Sequence, residues 1–549
     1  MPRIAATISC VTLLSLLCRA DASARRRPRA STYYVDCTAG SDSAAGTAAA
    51  SPWKSLARVS GTTFSAGDSI LLRRGTQCAG QLWPKGSGDA QRPIVIGAYG
   101  TGALPVIDAS GADAAIKLLD QEHWVIETLE SFGGSPYGVF VSGSKADMHG
   151  LVLRNLVVHD VSGEPKSKVT GLVVVSISDT AQLADVTIDG VSAYNTTEWA
   201  GIVVSGGWPK TRIRNVTVRN SIVHDVAGDG IILFSVESGL IERSAAWRSG
   251  LQPVQTIGTP NAIWTWTCRR CTVRDNEGFF IDSPGIDGGV YDIDYANDDN
   301  VVENNYGHDA MGYCVAVFAA GGLVTTNSVV RGNTCIANGR SPKLAKRQGD
   351  LYIHTWDGGM LDGIRVENNT FVWAPLVDAP VVMMDSADFK GTRTNVLAGN
   401  RLYTGVSQAI FTRDSAIVGR NTIAPIPPLH IAPTQVPSGR FRLVLTGEDR
   451  SQVVFLETAL AQYPDRLDAT LVRTGATSDI AHDWNLRCIR LVVGPRAKLG
   501  LQLLSPDGRE VAHWSRFASP AELGLALRRH LGAAVPYSAN SPSCRVEVR

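Results

Sequence analysis

The sequence predicts an all-β protein whose main part is a solenoid of parallel strands, followed by a small C-terminal α/β domain. Short β-rich segments recur between about residues 100 and 420, with Asn, Asp or Gly between them. Four of these segments follow one another about 30 residues apart: 171–174, 201–204, 230–233 and 262–265. No helical periodicity separates them, so each repeat can bury its apolar face only against its neighbours.

A second set of segments lies between the first and has the pattern strand, bend, strand. Examples are residues 152–159, 186–191, 216–223 and 364–371, in which Asn, Asp or Gly occupies the bend. An antiparallel sandwich would instead need hairpin turn signals between its strands. Asn suits bends that need unusual backbone dihedrals, and stacked Asn side chains can form a ladder along the axis.

Composition limits the classes of function. Hydrophobic residues make up 44% of the 549-residue chain, enough to bury a core. The net charge is +1, which gives no reason to expect nucleic acid or an anionic membrane surface as a partner.

Residues 1–24 have the pattern of a secretory signal peptide. Arg3 precedes an apolar stretch at 4–18, and residues 22–24 (Ala-Ser-Ala) form a cleavage site. The apolar stretch is too short for a membrane span, which needs about 20 residues. We therefore expect an exported protein, secreted or periplasmic/extracellular, without a membrane anchor.

Eight cysteines remain after the signal peptide, and an even number in an exported chain indicates disulfide bonds. Their pairing cannot be read from the sequence. Cys268 and Cys271 form a CxxC pair without a second pair or a His at ligand spacing. A local disulfide or two buried thiols is the expectation there, rather than a metal site.

The N-terminal region carries a resemblance to a known family. It consists of YYVDCTAGSDSAAGTAAASPWKSLARV at 33–59, FSAGDSILLRRGTQCAGQLWPKGSG at 64–88 and RPIVIGAYGTGALPVIDA at 92–109. This region resembles the opening segment of right-handed parallel β-helix proteins of the pectate-lyase-like superfamily. The resemblance implies a β-helix over 31–420, with a strand and a short helix at 51–59 capping its open end. The architecture hosts lyases, hydrolases, epimerases and phage adhesins, so it does not define the reaction.

Beyond residue 420 the character of the sequence changes. A Pro-rich linker is expected at 421–437, a small α/β domain at 438–535 and a tail at 536–549. Within that domain we expect strands at 441–445, 469–472 and 501–504, and helices at 452–463 and 521–531. The run LLSPDGREVAHWSRFASPAELGLAL at 503–527 is similar to the hairpin and last helix of thioredoxin-like domains. The CxxC motif of that family is missing here, so the resemblance implies no redox catalysis.

Alternation along the strands predicts an outward-facing column on the solenoid, because successive side chains point to opposite faces. Rung by rung the column reads Val173/Val175, Val203/Ser205, Ile232/Phe234, Trp264/Trp266, Asp292/Asp294, Val315/Val317 and Tyr352/His354. Rungs lie about 4.8 Å apart, so aromatic rings should flank a pair of carboxylates. Aromatic rings beside carboxylates are typical of sugar-binding grooves.

Asp292 and Asp294 are the predicted catalytic pair. Their α-carbons should lie about 6.5 to 7 Å apart on one face of a strand. Carboxyl groups about 5 Å apart suit a retaining glycosidase, and about 6.5 to 9.5 Å an inverting one. Like charges this close raise one pKa and supply a proton donor beside a base. The alternative is a solvated strand face with no catalytic role.

Further residues are expected to support this pair. His354 shares the outward column, whereas His308 and Asp309 follow the acidic rung; all three are catalytic candidates. The pairs His159-Asp160 and His224-Asp225 recur at similar points of the repeat, which favours a structural bend for that motif. Candidate substrate-binding residues are Trp264, Trp266, Tyr352, Asp282, Asp287, Asp229 and Glu198. No defined Ca²⁺ loop is present, and no metal site is predicted.

Three functions remain open from the sequence. The first is a glycoside hydrolase of a polysaccharide, without a cofactor. The second is a polysaccharide lyase or uronate epimerase, in which acids of this fold bind Ca²⁺ beside an Arg or Lys base. No such base lies on the column, although Lys343, Lys346 and Arg347 could fold over it. The third is a non-catalytic glycan-binding surface protein. Carboxylates with aromatic rings and no basic partner favour the hydrolase.

Overall fold

A computed structural model describes residues 29–425, except for 146, 255, 284–286, 309, 337, 342–343, 345–347, 374, 376 and 385. Beyond residue 425 it describes the backbone of seven strands. The predicted signal peptide, the predicted C-terminal tail apart from one strand, and Asp309, Lys343, Lys346 and Arg347 lie outside the described residues. Within the described part, no helix combines the length and the hydrophobicity needed to cross a lipid bilayer.

Residues up to 425 form a parallel β-helix, as the sequence predicts, and the structure gives it three faces. Face 1 is an eleven-stranded parallel sheet. Its strands are Ala114–Leu119, Tyr137–Gly143, Gly171–Ile177, Ala200–Ser205, Ile231–Phe234, Ile263–Trp266, Tyr291–Ile293, Val315–Ala319, Leu351–Thr355, Val382–Met384 and Ile410–Thr412.

Faces 2 and 3 belong to one 24-stranded sheet, because two long strands run through the bend between them. These shared strands are Trp124–Phe132 and Met148–Val161. Face 2 also contains Thr32–Val35, Ser69–Arg73, Ile94–Tyr99, Leu183–Asp189, Ile213–Arg219, Val236–Glu242, Thr272–Arg274, Val301–Glu303, Val329–Arg331, Arg365–Glu367 and Val396–Ala398. Face 3 also contains Gln77–Ala79, Val106–Asp108, Ser192–Thr196, Ile222–Val226, Ala245–Ser249, Glu277–Phe279, Tyr306–His308, Thr334–Ile336, Thr370–Trp373, Arg401–Thr404 and Thr422–Ala424.

Three minor elements complete the solenoid. The strands Val324–Thr326 and Met360–Asp362 pair with each other, and a 3₁₀ helix spans Ser415–Ile417. The last strand of face 3, Thr422–Ala424, pairs in parallel with Arg401–Thr404. The β-helix therefore continues into the stretch that the sequence indicates as linker.

The N-terminal cap contains a helix at Leu56–Ser60, shorter than the expected 51–59 and shifted towards its end. Ser55 caps it by accepting a hydrogen bond from the backbone N–H of Arg58 at 3.1 Å. Leu56 and Val59 are its buried residues, so the helix covers the open end of the core with an apolar face.

The described cysteines pair in part. Disulfides join Cys37 to Cys78 and Cys314 to Cys335, whereas Cys268 and Cys271 are buried free thiols. The thiol alternative for the CxxC pair therefore holds.

An asparagine ladder fixes the bend between faces 2 and 3. Six buried or half-buried side chains stack along the axis: Asn276, Asn305, Asn333, Asn369, Asn400 and Asn421. Each Nδ2 donates to the Oδ1 of the next at 2.9 to 3.1 Å, and that Oδ1 also accepts a backbone N–H of the previous rung. This ladder confirms the stacking that the Asn-rich bends predict.

The register of face 1 agrees with the predicted alternation on some rungs and differs on others. Ile263, Tyr291, Val315 and Leu351 align and point into the core. The predicted outward orientation of Val315 and Val317 is therefore wrong, because both side chains point into the core. The outward residues of that rung are Ala316 and Phe318. Val173 and Val175 are likewise inward, and Val174 faces outward. The cause is chemical: these strands are apolar at every position, so their sequence does not show which residues alternate into the core.

The C-terminal strands form an antiparallel sheet in the order Leu467–Thr474, Val453–Leu460, Gly439–Thr446, Gly500–Leu504 and Glu510–Ser515. Arg490–Leu491 and Glu547–Val548 form a separate pair. Strands occur where the sequence predicts them at 441–445, 469–472 and 501–504. The helix expected at 452–463 is wrong, because Val453–Leu460 pairs along its whole length with strands on both sides. The second helix, at 521–531, lies outside the described residues, and the thioredoxin-like domain stays a prediction.

Candidate active site

Two carboxylates stand on the outer side of face 1. Asp292 lies in the strand Tyr291–Ile293 and Asp294 follows it directly. Asp292 is in register with Trp264 on the preceding rung and with Ala316 on the next. The structure thus brings both acids to one face with the two predicted tryptophans, as the alternation predicts.

The two acids have different surroundings. Asp292 is 2% exposed; its Oδ2 accepts a hydrogen bond from Asn261 Nδ2 at 3.3 Å, and its Oδ1 is buried without a hydrogen-bond partner. Asp294 is half-buried, and its Oδ1 accepts the backbone N–H of Tyr295 at 2.9 Å. A buried carboxyl oxygen without a partner disfavours the ionised form, whereas a bound N–H favours it.

The protonation of this pair follows from burial and charge. Burial, and then the charge of Asp294, raise the pKa of Asp292 well above its usual value. Burial raises the pKa of Asp294 to about 7, with the neighbouring charge of Asp287 adding to the rise. Lys168 opposes the rise at both carboxyls. The cluster can therefore hold a proton donor beside a proton acceptor near neutral pH.

Asp287 lies close enough to Asp292 and Asp294 for its charge to raise the pKa of both. It is half-buried, and Thr259 Oγ1 donates a hydrogen bond to its Oδ2. Burial raises the pKa of Asp287, and Lys168 opposes the rise.

Asp229 has a structural role in place of the expected contact with substrate. It is fully buried, and four donors occupy its two oxygens: Lys168 Nζ at 3.0 Å, Trp264 Nε1 at 3.0 Å, the Asn261 backbone N–H at 2.7 Å, and Trp199 Nε1. Carboxylate oxygens with this many donors have little capacity left for a sugar hydroxyl. Asp229 therefore anchors the segments that carry the site.

Lys168 is a basic residue that the sequence does not place at the site. It lies in the loop before the strand Gly171–Ile177, three rungs from Trp264. Besides Asp229, its Nζ contacts the Thr259 carbonyl at 3.1 Å and lies 4.8 and 4.7 Å from the ring centroids of Trp199 and Trp264. No strand alternation could indicate it, because a connecting loop folds it over the face.

Trp264 is not a sugar-stacking surface. It is 3% exposed, its indole N–H is bound to Asp229, and Lys168 lies over its ring. Trp266, by contrast, is half-buried and contacts the rings of Trp208 and Tyr295.

Tyr313 crosses the outer side of face 1 and fixes Asn261. The Tyr313 hydroxyl donates to Asn261 Oδ1 at 3.0 Å, and the Gly289 backbone N–H donates to the same oxygen at 3.0 Å. A Cβ at Gly289 would lie 1.9 Å from the Tyr313 ring, so this close approach requires glycine. Tyr313 also belongs to the buried cluster that contains Ala316 and Phe318.

Tyr352 and His354 belong to the same face, as expected. They are outward residues of the strand Leu351–Thr355, and His354 is in register with Phe318. The His354 ring stacks at 5.3 Å on Tyr352 and at 5.8 Å on Trp356. Tyr352 is 6% exposed and packs against the rings of Phe318 and Tyr313, so other side chains cover most of its surface.

His308 does not lie with the catalytic pair. It ends a strand of face 3, is fully buried, stacks on Phe279 at 4.9 Å and places Nε2 3.3 Å from Glu277 Oε1. It belongs to a stack of rings along that face: Phe132, His159, Tyr194, His224, Trp247, Phe279 and His308. The histidines of the three His-Asp pairs thus share a structural position, and Asp309 itself lies outside the described residues.

Asp282 and Glu198, two further candidate substrate-binding residues, lie apart from the pair Asp292 and Asp294. Asp282 is exposed; partial burial raises its pKa, and the charge of Arg248, in the strand Ala245–Ser249 of face 3, opposes the rise. Glu198 is buried, with Oε2 unpartnered, and burial raises its pKa. A Cβ at Gly163 would touch Glu198 Oε1, which places this acid under the loop at Gly163.

Among the described residues, the carboxylates of the site do not come close enough together to form a group that could hold a metal ion. Over the described residues, such a group is found at Cys314, Cys335 and Asp350, where the two sulfurs are joined in a disulfide. The residues of the site that the sequence did not indicate are Lys168, Trp199, Trp208, Asn261, Tyr295 and Tyr313.

Comparisons with known proteins agree with the architecture. Residues 137–371 match a family described as the right handed beta helix region. The chain is 26% identical over 318 residues to a lacto-N-biosidase of Bifidobacterium longum subsp. longum, a match covering 52% of this chain and 19% of that protein. The chain thus spans about a fifth of that relative's length.

Two solved structures superimpose on part of the chain. A GH136 lacto-N-biosidase from Eubacterium ramulus superimposes with a TM-score of 0.48 at 18% identity, covering 72% of this chain and 68% of that one. The pectate lyase Pel9A superimposes with a TM-score of 0.34 at 14% identity, covering 70% and 96%. Three parallel faces, a ladder of asparagines along one bend and the match over residues 137–371 lead to one conclusion: the part of the chain up to residue 425 is a right-handed parallel β-helix.

Proposed function

We propose that this protein is an exported glycoside hydrolase that cleaves a polysaccharide or oligosaccharide with Asp292 and Asp294. The observation that carries the proposal is the unpartnered, buried Oδ1 of Asp292 beside a half-buried Asp294 whose pKa is about 7. Two interacting carboxyls with raised pKa values are what acid–base hydrolysis near neutral pH needs.

The two acids take different roles. Asp292, more deeply buried, keeps its proton and donates it to the glycosidic oxygen as the bond to the anomeric carbon breaks. Asp294, held by the Tyr295 N–H, is ionised and either attacks the anomeric carbon or removes a proton from the attacking water. Product stereochemistry distinguishes the two routes, because direct attack followed by hydrolysis retains the anomeric configuration.

The similarity to a lacto-N-biosidase supports a carbohydrate substrate and suggests one test compound. Because the match covers 19% of that relative, the substrate of this chain is a proposal of its own. A lacto-N-bioside with a chromogenic leaving group is therefore tested beside a panel of polysaccharides.

A lyase or uronate epimerase is the second candidate, and the basic residue Lys168 favours it at first sight. Its ammonium group is already bound by Asp229 and by the Thr259 carbonyl. The neighbouring carboxylates Asp287, Asp292 and Asp294 would repel the carboxylate of a uronic acid wherever they are ionised. This surrounding favours a neutral glycan, and hence hydrolysis without Ca²⁺. A binding protein without catalysis is the third candidate.

The test is incubation of the purified protein with laminarin, xylan, galactan, mannan, alginate and polygalacturonate, and with p-nitrophenyl lacto-N-bioside. New reducing ends without the ultraviolet absorbance of an unsaturated uronide support hydrolysis. Reducing ends with that absorbance show a lyase, and binding without products shows an adhesin. Asp292→Asn and Asp294→Asn should each reduce turnover by at least about 100-fold.

The control variant is Asp299→Asn. Asp299 is an exposed bend residue of the same segment with φ 56°, a conformation that Asn also adopts. It should keep full turnover. Full turnover of both Asp292→Asn and Asp294→Asn on a confirmed substrate would exclude the proposed roles.

Export is tested separately. If residues 1–24 are a cleaved signal, the protein recovered outside the cytoplasm of its producing cell should begin near Arg25. An intact N-terminus on protein retained in the cytoplasm would contradict export.

A further inference from the structure

The aromatic residues at the open side of the site suggest where the glycan lies. We infer that Trp208, Trp266, Tyr295 and Trp356, here called the aromatic rim, bind sugar units next to the bond cleaved at Asp292 and Asp294. This inference rests on the proposed function and extends it to the substrate class: a neutral glycan long enough to cover more than one ring.

Exposure increases in one direction along the strands of face 1. Trp264 is 3% exposed and Trp266, two residues further along the same strand, is half-buried. Tyr352 is 6% exposed and Trp356, four residues further, is 43% exposed. The outer side of face 1 is therefore covered beside Asp292 and more exposed beyond Asp294, so a bound glycan would extend over the rim.

The rim is a continuous row of rings. The ring centroids lie 6.1 Å apart between Trp208 and Trp266, 5.4 Å between Trp266 and Tyr295, and 6.0 Å between Tyr295 and Trp356. The Tyr295 centroid lies 5.4 Å from that of Trp266 and 6.0 Å from that of Trp356, so the outer two rings are at most about 11 Å apart, although their rungs are three steps apart. Four rings in a row offer more surface than a single sugar ring covers.

Trp356 is the most exposed member and is held in a defined orientation. Its ring stacks at 5.8 Å on His354, and it meets Tyr295 and Phe318 edge to face at 6.0 and 5.6 Å. A large indole supported on three sides and open to solvent has an apolar surface that a ligand can cover.

The chemistry of the rim selects carbohydrate. Flat rings stack on the apolar C–H faces of pyranose rings, while a half-buried carboxylate such as Asp294 accepts hydroxyl hydrogen bonds. The same carboxylates disfavour an anionic ligand. Trp264 cannot provide this stacking, because Lys168 lies over its ring and Asp229 binds its indole N–H.

The test measures binding apart from catalysis. Asp292→Asn protein is run by affinity electrophoresis in gels that contain laminarin, xylan, galactan or mannan. We expect retardation by at least one of them. Adding Trp356→Ala should weaken that binding by about tenfold, the loss of roughly one aromatic contact, and Trp356→Phe should restore part of it.

Phe411→Ala is the matched control. Phe411 is 40% exposed on the same column, in register with Met383 at the end of face 1 and four rungs from Asp292, about 19 Å away. Its loss should leave retardation unchanged. The inference is overturned if none of the four polysaccharides retards the protein, or if Trp356→Ala binds as tightly as its parent.

Failure of the rim and failure of the hydrolase proposal are distinguishable. If Asp292→Asn and Asp294→Asn keep their turnover while Trp356→Ala weakens retardation, glycan binding by the rim is supported and the catalytic roles of the two acids are excluded. If turnover depends on the two acids but retardation does not depend on Trp356, glycan binding by the rim is excluded and the hydrolase proposal is kept.

Discussion

The amide of Asn261 donates to Asp292 Oδ2 across 3.3 Å, and the other oxygen of Asp292 has no hydrogen-bond partner. The same amide is held from behind, because Asn261 Oδ1 accepts hydrogen bonds from Tyr313 and from Gly289, each at 3.0 Å. One oxygen of the acid is thereby fixed, and the other is buried without a hydrogen-bond partner.

Tyr313→Phe tests whether the Tyr313 hydroxyl, through Asn261, positions Asp292. The variant removes the hydroxyl donor but keeps the ring, so Asn261 is less firmly oriented and Asp292 less well positioned. We expect kcat to fall about fivefold with KM little changed, since a hydrogen bond of this kind is worth about 1 kcal/mol. Steady-state kinetics on the substrate identified by the panel measure both constants.

Tyr99→Phe is the control for that variant. The Tyr99 hydroxyl is also buried but has no hydrogen-bond partner, and it lies in the N-terminal strand Ile94–Tyr99. Its removal should not change kcat. Equal kcat for Tyr313→Phe and the wild type would show that Asn261 holds Asp292 without the hydroxyl.

Lys168→Met should move the pH dependence of hydrolysis. In the wild type the rate rises as Asp294 loses its proton near pH 7 and falls at higher pH as Asp292 loses its own. The charge of Lys168 lowers the pKa of both acids. Its removal favours the protonated forms, so both limbs of the kcat/KM profile should move to higher pH.

Lys210→Met removes an equal charge at the surface, where Lys210 pairs with Asp179 at 2.7 Å. This control should keep the wild-type profile. Profiles of Lys168→Met that coincide with the wild type, or move to lower pH, would contradict the electrostatic role of Lys168.

Asp350→Asn should reduce the loss of stability at alkaline pH. Burial raises the pKa of Asp350 to about 8, while its carboxyl oxygen accepts a hydrogen bond from Asn338 at 3.0 Å. A raised pKa contributes stability that is complete below the unfolded value near 4 and is lost as pH rises through about 8. Asn cannot ionise, so the variant should gain about 2 to 4 °C in Tm at pH 8 relative to pH 5.

Differential scanning calorimetry of both proteins at the two pH values measures this effect. Asp299→Asn, at an exposed bend, is the control and should follow the wild type. An equal fall in Tm for wild type and Asp350→Asn would show that Asp350 ionises without cost to the fold.

Asn333→Ala should destabilise the solenoid strongly. The buried Asn333 side chain donates to Asn369 Oδ1 and to the Val302 carbonyl at 2.9 Å, and accepts from Asn305. Loss of this side chain leaves buried partners unsatisfied, which costs about 2 to 4 kcal/mol of unfolding free energy. Chemical denaturation measures it, and Asn304→Gly, at an exposed bend with φ 55°, is the control expected near wild type.

The repeated strands and bends determined the fold from the sequence. Apolar strands such as 201–204 and 230–233 can be buried only by stacking on their neighbours, so spacing alone indicates a solenoid. Asn at the bends indicated the ladder, because each bend returns at the same point of the next rung. Asp292 and Asp294 were also readable, since polar residues within an apolar repeat interrupt its pattern.

Two structural features could not be predicted from the sequence: the orientation of wholly apolar strands and the strand at 453–460. The alternation of strands that are apolar throughout, such as Val315–Ala319, was not readable, because every residue suits either face. The helix expected at 452–463 is a strand, since pairing with neighbours on both sides overrides local preference.

Only the tertiary structure determined which side chains surround Asp292 and Asp294. Lys168 and Tyr313 reach Asp229 and Asn261 over sequence separations of 61 and 52 residues, from loops whose paths no periodicity describes. The same folding covers Trp264 and leaves Trp356 open. The sequence determined which rung is acidic; the connections folded across face 1 decided which of its side chains are buried, which are bound and which can meet a sugar.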